Sequence, residues 1–327
     1  MSTPKAYITR KIPQEAIDII AAHCDYTIWD KEATPVPRDV LLRSIADADG
    51  VLTMLTERVD TEFLAAAPQC KVVANMAVGY DNVDVPTLTE RSVLLTNTPD
   101  VLTETTADLV WALILATARR IVEGQQTIEA DEWKTWSPMF MVGQDVFGAT
   151  LGIVGAGRIG SAVARRASGF NMSIIYHSRH PSSDLETFTG ATYCDNLDDL
   201  LTQADIVVTL VPLTASTRGM FGAREFALMK PTAIFINAAR GPIVNETELY
   251  KALQHGRPWA AGLDVFEQEP IRADHPLLTL PNVTAVPHIG SATIATRIHM
   301  ATIAATNLVN ALTGQPIPHV VNPDVLG

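Results

Sequence analysis

The chain alternates short apolar runs with amphipathic stretches. Residues 5–9 read as a strand, 13–23 place Ile17, Ile19 and Ile20 at near-helical spacing, 26–29 read as a strand, 38–46 as a helix and 50–53 as a strand; 62–67 and 72–74 continue the alternation. Strand and helix in turn predict an α/β domain with a mostly parallel sheet. Residues 100–120 read as one long helix. Leu102, Ala107, Val110, Leu113, Ile114 and Ala118 form its apolar face, and Arg119 and Arg120 sit at its end, where basic side chains suit the macrodipole. A second α/β series starts at Thr150, with strand-like runs at 151–154, 173–176, 205–210, 233–237, 259–264 and 283–286 and helical stretches between most of them. Residues 291–313 read as a last helix before a proline-rich tail. Between the two series, 129–146 is irregular and holds Trp133, Trp136, Met139, Phe140 and Met141, a cluster expected at an interface, with a loop packed on its own domain as the alternative.

Composition narrows the class. A length of 327 residues suffices for two domains, and 47% apolar with 18% charged residues is a globular balance. The net charge of −12 argues against nucleic acid as a partner, while local arginines can still favour an anion inside a cleft. Cys24, Cys70 and Cys194 form no CxxC pair, so neither a disulfide framework nor a metal site is expected. No apolar run approaches the roughly 20 residues of a membrane span, and the first ten residues lack a signal-peptide stretch, so the expectation is a cytoplasmic protein with no membrane partner.

The strand pattern at 150–154 runs directly into Gly155-Ala156-Gly157-Arg158-Ile159-Gly160, and 161–168 reads as a helix. This strand–GxGxxG–helix context is what gives the motif its meaning. The first glycine allows a tight turn, the second lets backbone approach a pyrophosphate, and the third packs helix on strand; the helix N-terminus faces the anion. NAD sites place a carboxylate at the end of the next strand for the ribose hydroxyls. Here that position holds Ser178, followed by Arg179. A hydroxyl and a guanidinium suit a 2′-phosphate, so NADP(H) is the expected cofactor, with NAD(H) still usable.

Three later segments each follow a predicted strand: Asn237-Ala238-Ala239-Arg240-Gly241, Asp264-Val265-Phe266-Glu267-Gln268-Glu269-Pro270 and Pro287-His288-Ile289-Gly290. Ligands of open α/β sheets bind at the carboxyl ends of strands, so Arg240, Glu269 and His288 converge on one crevice. The three fit reduction of a 2-keto acid. Arg240 can hold the carboxylate and polarise the ketone. His288 can give a proton to the developing alkoxide. Glu269 can orient the imidazole and favour its charged form.

These motifs resemble the D-isomer-specific 2-hydroxyacid dehydrogenases, especially their glyoxylate/hydroxypyruvate reductase branch, and the resemblance spans nearly the whole chain. It implies two Rossmann-like or flavodoxin-like domains with mostly parallel sheets. A dinucleotide domain at 101–289 would be inserted into a substrate domain formed by 1–100 and 290–327. Arg240, Glu269 and His288 match the family's catalytic Arg, Glu and His. The cofactor set it implies comprises Thr106, Gly155, Gly157, Arg158, Ile159, Gly160, Ser178, Arg179, Pro212, Ala238, Ala239, Arg240, Asp264, His288 and Gly290. Val78 and Gly79 would present backbone N–H groups to the substrate, Leu55 would wall its pocket, and Arg240 and His288 would contact it. Family dimers pair through their dinucleotide domains, and Phe140 or Met141 would reach the partner's site. Val78 argues against phosphite as substrate, and Glu269 argues against formate; 2-ketogluconate or another 2-keto acid is the alternative. A redox-sensing dinucleotide-binding regulator is a rival that Ser178 disfavours.

Overall fold

The computed structural model describes residues 3–327. The chain forms two compact units, one of Met1–Leu102 with Ser291–Gly327 and the other of Thr103–Gly290.

The first unit is built on five strands: β1 (Lys5–Ile8), β2 (Asp25–Ile28), β3 (Gly50–Thr53), β4 (Val72–Asn75) and β5 (Leu94–Thr96). They pair in parallel in the order β2-β1-β3-β4-β5. β3 and β4 are buried along their whole length, which is why they read as continuous apolar runs, whereas the edge strand β2 is mostly exposed. Helices Gln14–Ala21, Arg38–Ser44, Thr61–Ala66 and Val85–Glu90 link successive strands. Asp60 and Asp84 start the last two by accepting the N–H of Phe63 and Thr87. Helix Ile294–Thr313 comes back from the far end of the chain and packs on β3, β4, β5 and helix Gln14–Ala21. The tail then closes the β5 edge: Val321 N–H donates to the Leu95 carbonyl at 2.8 Å, and Leu95 N–H donates to Asn322 Oδ1 at 2.8 Å.

The second unit has seven parallel strands: β6 (Thr150–Val154), β7 (Ser173–His177), β8 (Thr192–Tyr193), β9 (Ile206–Thr209), β10 (Ile234–Asn237), β11 (Ala260–Leu263) and β12 (Val283–Ala285). Their order is β12-β11-β10-β9-β6-β7-β8. The chain leaves β6 toward one edge, then crosses back to β9 and continues toward the other. Ligands of such sheets bind where this reversal occurs, beyond the carboxyl ends of the strands.

The stretch expected as one helix over 100–120 holds one, and a second helix follows it directly. Helix Thr103–Ala118 stops, Arg120 adopts a left-handed φ of +53°, and helix Ile121–Glu129 follows. The two arginines therefore do not occupy the first helix's last turn. Arg120 instead binds Glu123 through two nitrogens, at 2.8 and 2.6 Å, and reaches the Val142 carbonyl at 3.2 Å. The final helix begins at Ile294 rather than 291, because the Thr293 hydroxyl accepts the Thr296 N–H and sets the start. No helix among the described residues is long and apolar enough to cross a membrane.

Candidate active site

The glycine loop joins β6 to helix Arg158–Ala167. Gly155 has φ +106°, and a Cβ there would lie 2.8 Å from the Leu210–Val211 backbone. A Cβ on Gly160 would lie 2.2 Å from the Gly155 carbonyl oxygen. A Cβ on Gly157 would meet nothing within 4 Å, so the space above the helix start is open. Gly157 caps the helix without a side chain, and the first backbone bond beyond it runs from Ser161 N–H to the Gly157 carbonyl at 2.8 Å. The N–H groups ahead of that bond have no acceptor within the helix, and with the open space over Gly157 the loop fits a dinucleotide's pyrophosphate. The loop after β9, ending at Pro212, packs against Gly155 and is fixed by the Thr217 hydroxyl on the Pro212 carbonyl at 2.6 Å. After β7, the Ser178 hydroxyl donates to the His180 carbonyl at 2.6 Å, Tyr193 Oη donates to the Ser178 carbonyl at 3.1 Å, and Arg179 is exposed. The Tyr176 hydroxyl donates to Glu186 Oε1 at 2.6 Å.

β10 ends at Asn237, which is buried. Its side chain makes the following turn: Oδ1 accepts the Ala239 N–H at 3.1 Å and Nδ2 donates to the Arg240 carbonyl at 3.1 Å. Arg240 emerges half-buried, with Nη1 on the Ala239 carbonyl at 2.8 Å. Gly241 comes next, and a Cβ there would sit 1.8 Å from the Phe266 carbonyl carbon. Only glycine lets the loop after β10 lie directly on the loop after β11.

After β12 the chain turns sharply at His288, whose φ is +52°, a conformation that non-glycine residues seldom adopt. Asp264, at the end of β11, enforces it. Its carbonyl accepts the His288 N–H at 2.8 Å, Oδ1 accepts the Ile289 N–H at 2.6 Å, and Oδ2 accepts the Gly290 N–H at 2.9 Å. A Cβ on Gly290 would stand 3.0 Å from Asp264 Oδ2 and 3.4 Å from Thr106 Cγ2, so Thr106, Asp264 and Gly290 form one packed corner. The turn brings His288 Nδ1 to 2.6 Å from Glu269 Oε2, while Glu269 Oε1 accepts the Phe266 N–H at 3.0 Å. A carboxylate only accepts, so Nδ1 carries the hydrogen in this pair and Nε2 is the ring nitrogen left for a reacting group.

Burial works against charge on Glu269. The His288 hydrogen bond and charge, the Phe266 N–H and the Arg240 guanidinium outweigh it and hold the carboxyl below the usual range. Burial raises Asp264, against the opposing pull of the Ile289 and Gly290 N–H groups and of His288. The site is thus an ionised Glu269 bridging to an imidazole, with a guanidinium close enough to be felt. It can hold an anion and deliver a proton.

Arg240, Glu269, His288, Thr106, Asp264, Gly290, Ala238, Ala239 and the glycine loop all belong to the second unit, and those in strand-following loops lie at carboxyl ends of its sheet. Leu55, Val78 and Gly79 belong to the first unit, after β3 and β4. There the Val78 and Gly79 carbonyls accept from Asn97 and Asn75, while their N–H groups donate to no acceptor among the described residues. Phe140 stands in an exposed apolar stretch with Trp133, Trp136 and Met139. Asn237 and Gly241 are missing from the sequence-based set. The signal for both was their place directly at a strand's end, beside Arg240.

Residues 111–290 match the family model described as D-isomer specific 2-hydroxyacid dehydrogenase, NAD binding domain. The chain is 48% identical to a glyoxylate reductase of Thermococcus onnurineus, over 99% of this chain and 97% of that one. It is 46% identical to a glyoxylate reductase of Pyrococcus furiosus, over 99% and 96%. Among solved structures it resembles a protein of Thermus thermophilus (TM-score 0.91, 39% identity, 97% and 99% covered). It also resembles an NADPH-dependent glyoxylate/hydroxypyruvate reductase of Sinorhizobium meliloti in complex with NADP and malonate (TM-score 0.84, 33% identity, 98% and 97% covered). The chain is therefore a nicotinamide-dependent oxidoreductase of the D-isomer-specific 2-hydroxyacid dehydrogenase family, in the branch of those glyoxylate reductases.

Proposed function

We propose that the enzyme reduces a small 2-keto acid of the glyoxylate or hydroxypyruvate type to the D-2-hydroxy acid, with NADPH preferred. The observation that carries the chemistry is the 2.6 Å contact of His288 Nδ1 with Glu269 Oε2 beside Arg240. The nicotinamide, when bound, supplies the hydride to the keto carbon. Arg240 pairs with the substrate carboxylate and polarises the carbonyl. His288 Nε2 gives its proton to the oxygen as negative charge develops there, and Glu269 stabilises the imidazolium before transfer and fixes the ring throughout. On the first unit, Val78 and Gly79 offer N–H groups that suit an anion, and Leu55 is the apolar wall proposed beside them. The names of the similar glyoxylate reductases support this substrate class.

Ser178 and Arg179 carry the NADPH preference, since a hydroxyl and a guanidinium replace the acid that would repel a 2′-phosphate. The exposed stretch around Trp136, Met139 and Phe140 supports a homodimer covered there by a second copy. The test is a panel of glyoxylate, hydroxypyruvate, pyruvate, phenylpyruvate and 2-ketogluconate with NADPH and with NADH. Highest kcat/KM on glyoxylate or hydroxypyruvate with NADPH is expected. A preference for 2-ketogluconate or for NADH overturns the corresponding part.

A further inference from the structure

The loop that carries Glu269 is stitched to a helix start by two carboxylates that take no direct part in the proposed reaction. Helix Glu246–Gln254 begins at Asn245, whose side chain accepts the Glu248 N–H. The N–H of Glu246, the helix's first residue, donates across the sheet edge to Glu267 Oε1 at 3.0 Å. In return, the Glu267 N–H donates to Glu246 Oε1 at 2.7 Å. The next N–H back along that loop, from Phe266, goes to Glu269 Oε1. Two successive backbone N–H groups are thus aimed at two carboxylates, Glu246 on one side and Glu269 on the other. Beneath them the Phe266–Glu267 peptide rests on Gly241, leaving it no room to slide.

Glu246 has a third contact, His275 Nε2 at 3.3 Å from its Oε2. The His275 tautomer follows from its other nitrogen. Nδ1 accepts the Leu277 N–H at 3.3 Å, so in the neutral ring Nε2 carries the hydrogen and donates to Glu246. Burial raises the Glu246 carboxyl, against the Glu267 N–H and His275, and the charges of Glu267 and Glu269 add to the rise. A half-buried acid among two others is an expensive arrangement to retain without use.

We propose that Glu246, held by His275, is a positioning residue for Glu269: it fixes the Phe266–Pro270 loop so that Glu269 meets His288 Nδ1. This rests on the reading of Glu269 and His288 as the acid pair. Glutamine at 246 has one acceptor oxygen for two donors, the Glu267 N–H and His275 Nε2, so one bond is lost and the loop is freed.

Small displacements of a catalytic group lower rates steeply, so Glu246→Gln and His275→Gln should each reduce kcat about 10- to 100-fold, with KM for the keto acid changed by less than about threefold. The double variant should be no slower than the worse single one, because one chain of bonds is broken twice. In Glu246→Gln the alkaline limb of the kcat–pH profile should move to lower pH, as Glu269 drifts from the ring; a purely structural role leaves that limb in place. If Glu246→Gln does not fold, His275→Gln, whose ring reaches the surface, carries the same test. Glu269→Gln is run in parallel. If it is impaired while both positioning variants keep wild-type kcat and pH profile, or if their losses add, the role of Glu246 is overturned and the acid pair stands. If Glu269→Gln itself keeps wild-type kcat, the acid pair falls and the positioning role with it.

Discussion

Two kinds of loop leave the carboxyl edge of the seven-stranded sheet. The glycine loop after β6 works by what it lacks: Gly157 leaves open space over a helix start, and Gly155 and Gly160 let backbone touch backbone. The loops after β10, β11 and β12 work by side chains turned onto loop backbone, their own or a neighbouring loop's. Asn237 folds the first, Glu246 and Glu269 hold the second, and Asp264 holds the third. A loop meant to receive a large anion has to expose N–H groups. A loop meant to aim a proton has to consume them, because each free N–H is a freedom to move.

That contrast is open to attack, most severely at the reacting groups. His288→Ala and Glu269→Gln should lower kcat by roughly 10²–10⁴, and Arg240→Lys should be comparably severe, since lysine lacks the planar fork. Steady-state kinetics with NADPH and glyoxylate measure this, and wild-type kcat in any of them removes that residue from the mechanism. Next come the glycines. Gly241→Ala forces a Cβ into the Phe266 peptide and should destabilise the fold by about 3 kcal/mol in urea unfolding, the upper range for overpacking. Gly157→Ala meets nothing, so its stability should stay within about 1 kcal/mol of wild type while its NADPH Kd rises roughly tenfold, or about 1.4 kcal/mol of binding. Equal destabilisation of the two variants would erase the distinction between the loops.

At the cofactor corner, Arg179→Ala should weaken NADPH by about 10-fold, the scale of one charge-assisted hydrogen bond, and leave NADH nearly unchanged. Parallel losses for both cofactors would remove Arg179 from the 2′-phosphate. The smallest effect is on acid stability. The Glu269 carboxyl is lowered in the fold, so its contribution is complete above its ordinary value of 4.5 and is lost as pH falls through the lower folded value. Glu269→Gln should flatten the stability profile below pH 4.5 and leave it parallel to wild type above. The group is about a third exposed, so the change is small.

The two kinds of loop also differ in how far the sequence discloses them. Glycine spacing encodes backbone geometry directly, so the turn, the helix start and the β6 exit are readable from six residues. Arg240, Glu269 and His288 are readable because each follows an apolar strand. The groups that hold them are not, because Glu246 reaches Glu267 and His275 through pairings set only when β10 and β11 lie side by side. Asp264 is conspicuous in the sequence, but the two N–H groups it grips are not, nor is the left-handed turn at His288 that they enforce. The second helix, starting at Ile121, escapes for a related reason. Apolar spacing runs on through Ile121 and Val122, and the stop is made by contacts to Glu123 and Val142. β5 and β8 are only three and two residues long, too short for a period to register.

The return of helix Ile294–Thr313 to the first unit has a consequence for synthesis. Ile8, Leu52, Val72 and Ala74 share one apolar cluster with Met300, Ala301, Ala304 and Leu308. On the ribosome, the first four emerge long before the last four, with the whole of Thr103–Gly290 made in between. The inserted unit is complete as soon as it leaves the tunnel, while the older one waits with a sheet face uncovered. The later-made half of the molecule is thus free to fold first, and the nascent chain's exposure to aggregation is concentrated in its earliest strands.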